Sequence, residues 1–388
     1  MKRYFILLTG LFCLYMNAGT AFAGNPERSG QAGATQLLIN PYARSSGLFG
    51  MNVATVAGVE GMLNNPAGLA FGRSTEVVIA NTQWLMGSGI SVNCLGVSQA
   101  LGPNGGTIGV TAMAFGFGQI PITTIDNPDG GLGTYSPTFL NMGISYGRMM
   151  VEDRIYVGFT VKMVHESVPD VSANGVAFDA GVQYRTGDGK FRLGVALRNI
   201  GPTMKFSGDG LTTRLPIYNN GASSDRAMSS KAATFEMPSA LYVGAAYEIR
   251  AGRQSQRYKM KKQTIRGDTS YLKLDSLTVW DHKIIPMFTF ISNTFTRDQL
   301  GLGLEYRYME MLMLRASYLY EAKILNTAER RNVYSGIAVG ASFEFPFSMK
   351  NPKVGERNKL LTTIAVDYSY RHTFFFNGTH SFGIRFSL

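Results

Sequence analysis

The chain has 388 residues and a formal net charge of +11, yet only 16% of its residues are charged, 12% are aromatic and 45 are glycine. This balance argues against a helical enzyme and suits a large sheet structure with little aqueous surface. It does not mark a nucleic-acid binder either: the excess falls to +9 (11 − 2) if Lys2 and Arg3 leave with an export signal, and most of the remainder sits in Arg250–Lys273.

Residues 1–23 read as a secretory signal peptide. Lys2 and Arg3 precede an apolar run from Tyr4 to about Met16, and Ala21-Phe22-Ala23 supplies the small-x-small pattern cut by signal peptidase, here before Gly24. Cys13 follows Phe12 where a lipidation site needs a small residue, so no lipid anchor is expected. Cys94 is then the one cysteine of the exported chain and is expected to be an inert packed residue. After the leader no apolar run approaches the roughly 18 to 20 residues of a membrane helix.

Residues 24–74 form an N-terminal segment. Its stretch Leu37–Gly72 is rich in Gly and Ala, nearly uncharged, and too long to be a simple lead-in to Thr75. A chain this neutral makes a poor solvated tail, so it is expected to plug the lumen of whatever follows, with Asn65 and Pro66 breaking a short helix. A periplasmic linker is the plainer alternative.

From Thr75 to the C-terminus, segments alternate with a two-residue period and are broken by Gly, Asn, Asp and Pro clusters. Ile155, Val157, Phe159, Val161 and Met163 oppose Tyr156, Gly158, Thr160 and Lys162; Val176, Phe178, Ala180 and Val182 oppose Ala177, Asp179, Gly181 and Gln183. The same holds for Leu300, Leu302 and Leu304 against Gly301, Gly303 and Glu305. In a soluble sandwich the second face would carry many Lys, Glu and Thr. Here it is Gly, Ala and Ser punctuated by isolated charges of both signs, Asp179, Arg192, Arg198, Glu305, Arg307, Arg315, Glu344 and Asp367. That is a crowded interior with compensating charges, while the apolar face suits hydrocarbon. The fold expected for residues 75–388 is therefore an all-β transmembrane antiparallel barrel of about 14 strands, centred near 79, 94, 112, 144, 160, 180, 194, 244, 289, 303, 316, 339, 365 and 383. The first two alternate poorly. The ending His380–Leu388 alternates well, and it should close the barrel against the strand near residue 79.

An even strand number puts both barrel ends on the periplasmic side, so 119–137, 167–173 and 200–237 are outer loops. Pro121, Ile122 and Pro128 in the first, and Met204, Phe206 and Leu211 in the last, combine rigid turns with apolar side chains expected to be exposed, as a partner-recognising loop would; loops that only cap the barrel are the alternative. On the inner side lies a basic insertion, 251–282, with Arg253, Arg257, Lys259, Lys261, Lys262 and Arg266. It reads as a solvated charge run, or as a dock for an acidic partner or lipid phosphates.

"NNPAGLAFG", Asn64–Gly72, resembles the signature that follows the plug in FadL-type outer-membrane barrels. Its core is Asn65, Pro66, Ala67, Gly68 and Leu69. "TQWLMGSGISVNCLGVSQ", "ALRNIGPTMKFSGDGLTTR" and "SNTFTRDQLGLGLEYRYMEMLMLRASYLYE" are similar, in order, to the PorV/PorQ branch of that superfamily, and most of all to its PorV members, over nearly the whole exported chain. The region Arg250–His282 departs from the family pattern and reads as an insertion of this lineage. The resemblance implies a fourteen-stranded barrel in the outer membrane of a Bacteroidota-type Gram-negative bacterium. It further implies work in type IX secretion, with three partners besides outer-membrane lipid: the translocon barrel, the C-terminal signal domains of cargo, and the sortase-like machinery that attaches cargo to the surface.

No enzymatic constellation emerges. His165, His282, His372 and His380 lack metal-ligand spacing, Asp126–Gly131 lacks the length and terminal Glu of a calcium loop, and Thr186–Gly189 is a hairpin turn with no helix behind it. Neither catalytic residues, a metal nor a cofactor is expected, nor a nucleic-acid partner. Besides cargo shuttling, two readings stand: a FadL-like transporter of hydrophobic small molecules, against which the charged inner rows argue, and a structural plug of the translocon's lateral opening.

Overall fold

A computed structural model describes residues 24–72, 75–102, 105–151, 154–219, 222–256, 262–265, 268–271, 278–347 and 362–387. The expected leader 1–23, the basic residues Arg257, Lys259, Lys261 and Arg266, and the terminal Leu388 lie outside them.

Fourteen antiparallel strands form a closed ring. In chain order they are β1 Thr75–Trp84, β2 Ile90–Ala100, β3 Thr107–Gly116, β4 Thr138–Val151, β5 Ile155–Val168, β6 Val171–Arg185, β7 Phe191–Ile200, β8 Ala240–Tyr247 with its continuation Ile249–Gln256, β9 Thr278–Asn293, β10 Gln299–Tyr308, β11 Leu312–Glu321, β12 Tyr334–Phe347, β13 Thr362–Thr373 and β14 Thr379–Ser387. Each strand pairs with its sequence neighbours, and β14 closes on β1 from Glu76↔Ser387 to Gln83↔His380. Closure leaves no edge, which is what allows a sheet to sit in hydrocarbon with its backbone groups paired.

The two-residue period sorts side chains as the sequence indicates. Ile144, Met163, Leu302 and Val366 stand outward and exposed, while Thr160, Lys162, Asp179, Gln183, Glu305 and Asp367 point into the lumen and are buried. A continuous outward belt of Ile, Leu, Val, Phe and Met around a closed ring is the surface of an outer-membrane barrel, and the protein is a multi-pass one. β1 and β2 alternate in burial like the rest. They look poor in sequence because Val78, Ala80, Val92 and Cys94 on their inner rows are apolar too, packed on Tyr42, Val59 and Met62 of the N-terminal segment.

One strand is broken by design of its sequence. β9 pairs with β8 through Ala246↔Met287 and with the continuation from Ile249↔Ile284. Opposite the break stands Pro286, which has no N–H to give the ladder. Glu248, at the break, turns its side chain into the lumen, 2% exposed. Beyond the barrel wall, Lys262–Ile265 pairs with Asp268–Tyr271 in a separate two-stranded ladder.

Both barrel ends, Thr75 and Ser387, lie at one rim, here the near rim. The described residues of the connections 117–137, 169–170, 201–239, 294–298 and 322–333 lie at the far rim, and those of the 251–282 region at the near one.

Candidate functional site: the filled lumen and the far rim

Residues 34–71 occupy the lumen as short turns of helix: Thr35–Leu38, Ala43–Ser46, Met51–Ala54, Gly58–Leu63 and Pro66–Phe71. Nearly all are buried. Such short turns leave many backbone groups unpaired, and the barrel wall satisfies them. Gln183 Nε2 donates to the carbonyls of Val53 (3.2 Å) and Val56 (3.0 Å), Thr289 Oγ1 to that of Met51 (2.8 Å), Ser317 Oγ to that of Gly47 (3.1 Å) and Thr82 Oγ1 to that of Pro41 (3.2 Å).

The Asn65–Leu69 signature is explained by these contacts. Asn65 caps the turn Pro66–Phe71 by accepting from Ala67 N–H (3.1 Å), and its Nδ2 donates to the carbonyl of Val53 (2.8 Å) and to that of Val182 in the wall (3.2 Å). Pro66 takes the first helical position, where a missing N–H costs nothing. Ala67 and Leu69 are fully buried. A Cβ on Gly68 would lie 2.6 Å from Val56 O. The wall yields in turn: a Cβ on Gly158 would strike Pro66, one on Gly181 would strike Asn65, and one on Gly147 would lie 2.7 Å from Ala70 N. The glycine-rich inner face is the footprint of the N-terminal segment.

Charge joins the two. Arg44 donates through Nε to Asp367 Oδ1 (2.7 Å) on β13 and pairs with Glu344 on β12 (3.4 Å). Glu60 accepts from Ser45 N–H (3.1 Å) and Ser45 Oγ (2.7 Å) and pairs with Arg385 on β14, which also reaches Glu76 on β1 (2.8 Å) and Asp367 (3.8 Å). Elsewhere Lys162 pairs with Asp179 (2.5 Å) and Arg315 with Glu305 (2.5 Å). Near the terminal rim, Glu248 pairs with Arg192, Arg250 and Lys283, and Glu310 with Lys283 and Arg307. Burial pushes the Glu310 carboxyl up, but Arg307 and Lys283 outweigh it and hold it at about 2. A cavity of about 10 Å³ beside Asn141, Lys162 and Arg198 has room for about one water. Glu248 carried a signal that is easy to miss: it continues the inner row of Tyr242, Gly244 and Ala246 past the break, between outward Tyr247 and Ile249. Arg44 and Glu60 carried a signal: lone charges in a neutral segment, facing an inner wall rich in opposite partners.

At the far rim Pro121, Ile122 and Pro128 are exposed. Met204 and Phe206 are not. Met204 is 1% exposed in a cluster with Ala34, Leu37 and Met237, and Phe206 packs on that cluster and on Phe235 (5.5 Å). The chain around them folds back over the N-terminal segment, so their apolar character serves the seal; Leu211 is half-buried. Exposed apolar side chains at this rim are instead Ile125, Leu132, Leu325 and Phe375. At the near rim Arg253 is exposed and donates its backbone N–H to Asp281 Oδ2 (3.0 Å), and Lys262 lies in the small ladder. The histidines bond to neighbouring side chains and backbone, His282 to Tyr306 (2.7 Å) and His380 to Tyr368 (2.9 Å) and the Asn377 carbonyl (3.3 Å), and among the described residues no three acidic, His or Cys side chains gather as a metal site would need.

Among solved structures the chain is similar to the Pseudomonas putida toluene transporter TodX, at 12% identity over 90% of this chain and 97% of that one, with a TM-score of 0.46. It is similar also to a Pseudomonas aeruginosa FadL homologue, at 11% identity over 89% and 96%, with a TM-score of 0.44. No protein-family model matches the chain, and no curated protein matches it either. Strand number, closure and the occupied lumen stand on this chain's own geometry.

Proposed function

We propose that this outer-membrane barrel is a non-enzymatic transport component that works from its far rim, with its lumen closed by residues 34–71. The observation that carries the reading is the pairing of a lumen occupied by the mostly buried residues 34–71 with a rim that holds Ile125 fully in solvent, 98% exposed, and Leu325 and Phe375 largely so. Large apolar side chains beyond the hydrocarbon belt are poorly placed unless something covers them. The sequence resemblance to the PorV/PorQ branch supplies the partner class: C-terminal signal domains of type IX cargo, handed from the translocon barrel to surface attachment. Replacing Ile125, Leu132, Leu325 and Phe375 with Ser should leave the barrel folded and lower capture of a purified cargo signal domain by at least about tenfold, as losing roughly 1.4 kcal/mol would. Unchanged capture, or undiminished surface display of cargo after gene deletion, overturns it.

A second reading, passage of hydrophobic small molecules, has one local observation in its favour. An outward depression of about 470 Å³, lined by Tyr146, Val157, Phe159, Val182, Val195 and Leu197, sits on the wall outside Gly158 and Gly181, which bear on Pro66 and Asn65 within. The similar solved barrels named above include a toluene transporter and a FadL homologue, and no secretion component. Uptake of labelled toluene or a fatty acid by vesicles holding the barrel, above that of empty vesicles, would decide for this reading.

A further inference from the structure

The N-terminal segment enters the lumen from the far rim, not from the rim where Thr75 begins the barrel. Gly24 donates its backbone N–H to Asp298 Oδ2 (2.8 Å) in the connection 294–298. Arg28 pairs with Glu236 (2.7 Å) and lies 4.3 Å over the Phe295 ring. Arg331 donates to the Pro26 carbonyl and to Ser29 Oγ (2.6 Å). Ala32 bridges to Glu236, and Gly33 N–H donates to the Glu236 carbonyl (3.0 Å). From there the chain descends to Gly72, whose carbonyl accepts from Thr107 Oγ1 (3.4 Å) at the near end of β3. Three far-rim connections thus grip residues 24–33.

We propose that cleavage of the leader before Gly24 creates the ligand for this grip: the freed α-ammonium of Gly24 binds the Asp298 carboxylate at the cell-surface rim and latches the lumenal segment. Signal peptidase hydrolyses the Ala23–Gly24 amide with one water; Ala23 keeps a carboxylate and Gly24 takes the proton that makes it an ammonium. An amide N–H already aimed at a carboxylate then becomes a charge-assisted donor with two more hydrogens to give. The pocket fits glycine and no larger residue, since a Cβ at position 24 would lie 2.7 Å from Asp298 N and 2.8 Å from Thr296 O. The geometry also orders events. A leader still held at the inner membrane cannot stand at the outer rim, so the segment threads the lumen only after processing.

The test labels intact cells with a membrane-impermeant amine reagent and follows, by mass spectrometry, the tryptic peptide Gly24–Arg28, which contains no lysine. In the wild type its α-amine should be the processed end and should react slowly. Asp298→Asn, which keeps the shape but not the charge, should raise its labelling rate about fivefold, the factor that about 1 kcal/mol gives, while heat-modifiable gel migration shows the barrel still folded. Glu236→Gln, which loosens the neighbouring grip on Arg28 without touching the ammonium, should raise it less. The proposal is overturned if the mature end is not Gly24, if labelling requires opened cells, or if Asp298→Asn leaves the rate unchanged.

Discussion

Arg385→Gln is the perturbation for which the structure gives the clearest magnitude. Arg385 is 7% exposed and binds Glu60, Glu76 and, more distantly, Asp367, so it ties the last strand to the first and both to the lumenal segment. Removing it strands two carboxylates. Glu60 keeps the amide and hydroxyl of Ser45, and Glu76 keeps the Val59 N–H (3.0 Å), while Asp367 keeps Arg44. Breaking a buried pair by removing one partner costs about 3–5 kcal/mol, and the remaining donors place this case near about 3. The measurement is urea unfolding of the barrel in vesicles, read by heat-modifiable migration. Glu60→Gln combined with Arg385→Gln relieves one stranded charge, so the double variant should recover about 1–2 kcal/mol of the loss, within the usual range of pair couplings. A single-variant cost below about 1 kcal/mol, or a double variant whose losses simply add, refutes the reasoning.

Gly181→Val should drive Asn65 and Pro66 off the wall, at a cost near the upper end of the about 1–3 kcal/mol typical of overpacking; the barrel should still fold, and added protease should cut within residues 34–71, which stay protected in the wild type. For Glu310 the sign follows from its depressed pKa: its contribution is complete above the ordinary carboxylate value of 4.5 and lost as pH falls through about 2. The unfolding difference between the wild type and Glu310→Gln should therefore shrink between pH 5 and pH 2, and a difference constant across that window counts against the assignment.

The barrel was legible because a wall between lipid and a crowded interior imposes a period of two on residue after residue. Thr160, Lys162 and Asp179 declared their inward direction by standing between Val161, Phe159 and Phe178. What the sequence hid was every partner more than a strand away. Gly158 and Gly181 signalled crowding without naming Pro66 and Asn65 as its source, and Met204 looked like a recognition residue because a loop residue sealing a lumen and one awaiting a partner have the same apolar character. Glu248 keeps the inward phase of Gly244 and Ala246, and it escapes notice because it stands past the last regular pairing of its strand, where Pro286 interrupts the ladder from the opposite side. The direction in which residues 24–33 enter the lumen rests on Glu236, Asp298 and Arg331, more than 200 positions along the chain, and no local pattern could carry it.

Arg385 also has a place in time. Its partners Glu60 and Glu76 lie 325 and 309 positions earlier in the chain, and closing a loop that long costs about 5 kcal/mol of chain entropy before any contact repays it. Contacts of such separation form slowly. Ring closure through Arg385 and the fixing of residues 43–60 should therefore be one late, cooperative event, and a chain truncated just before Arg385 should stall as an open sheet that proteases can reach.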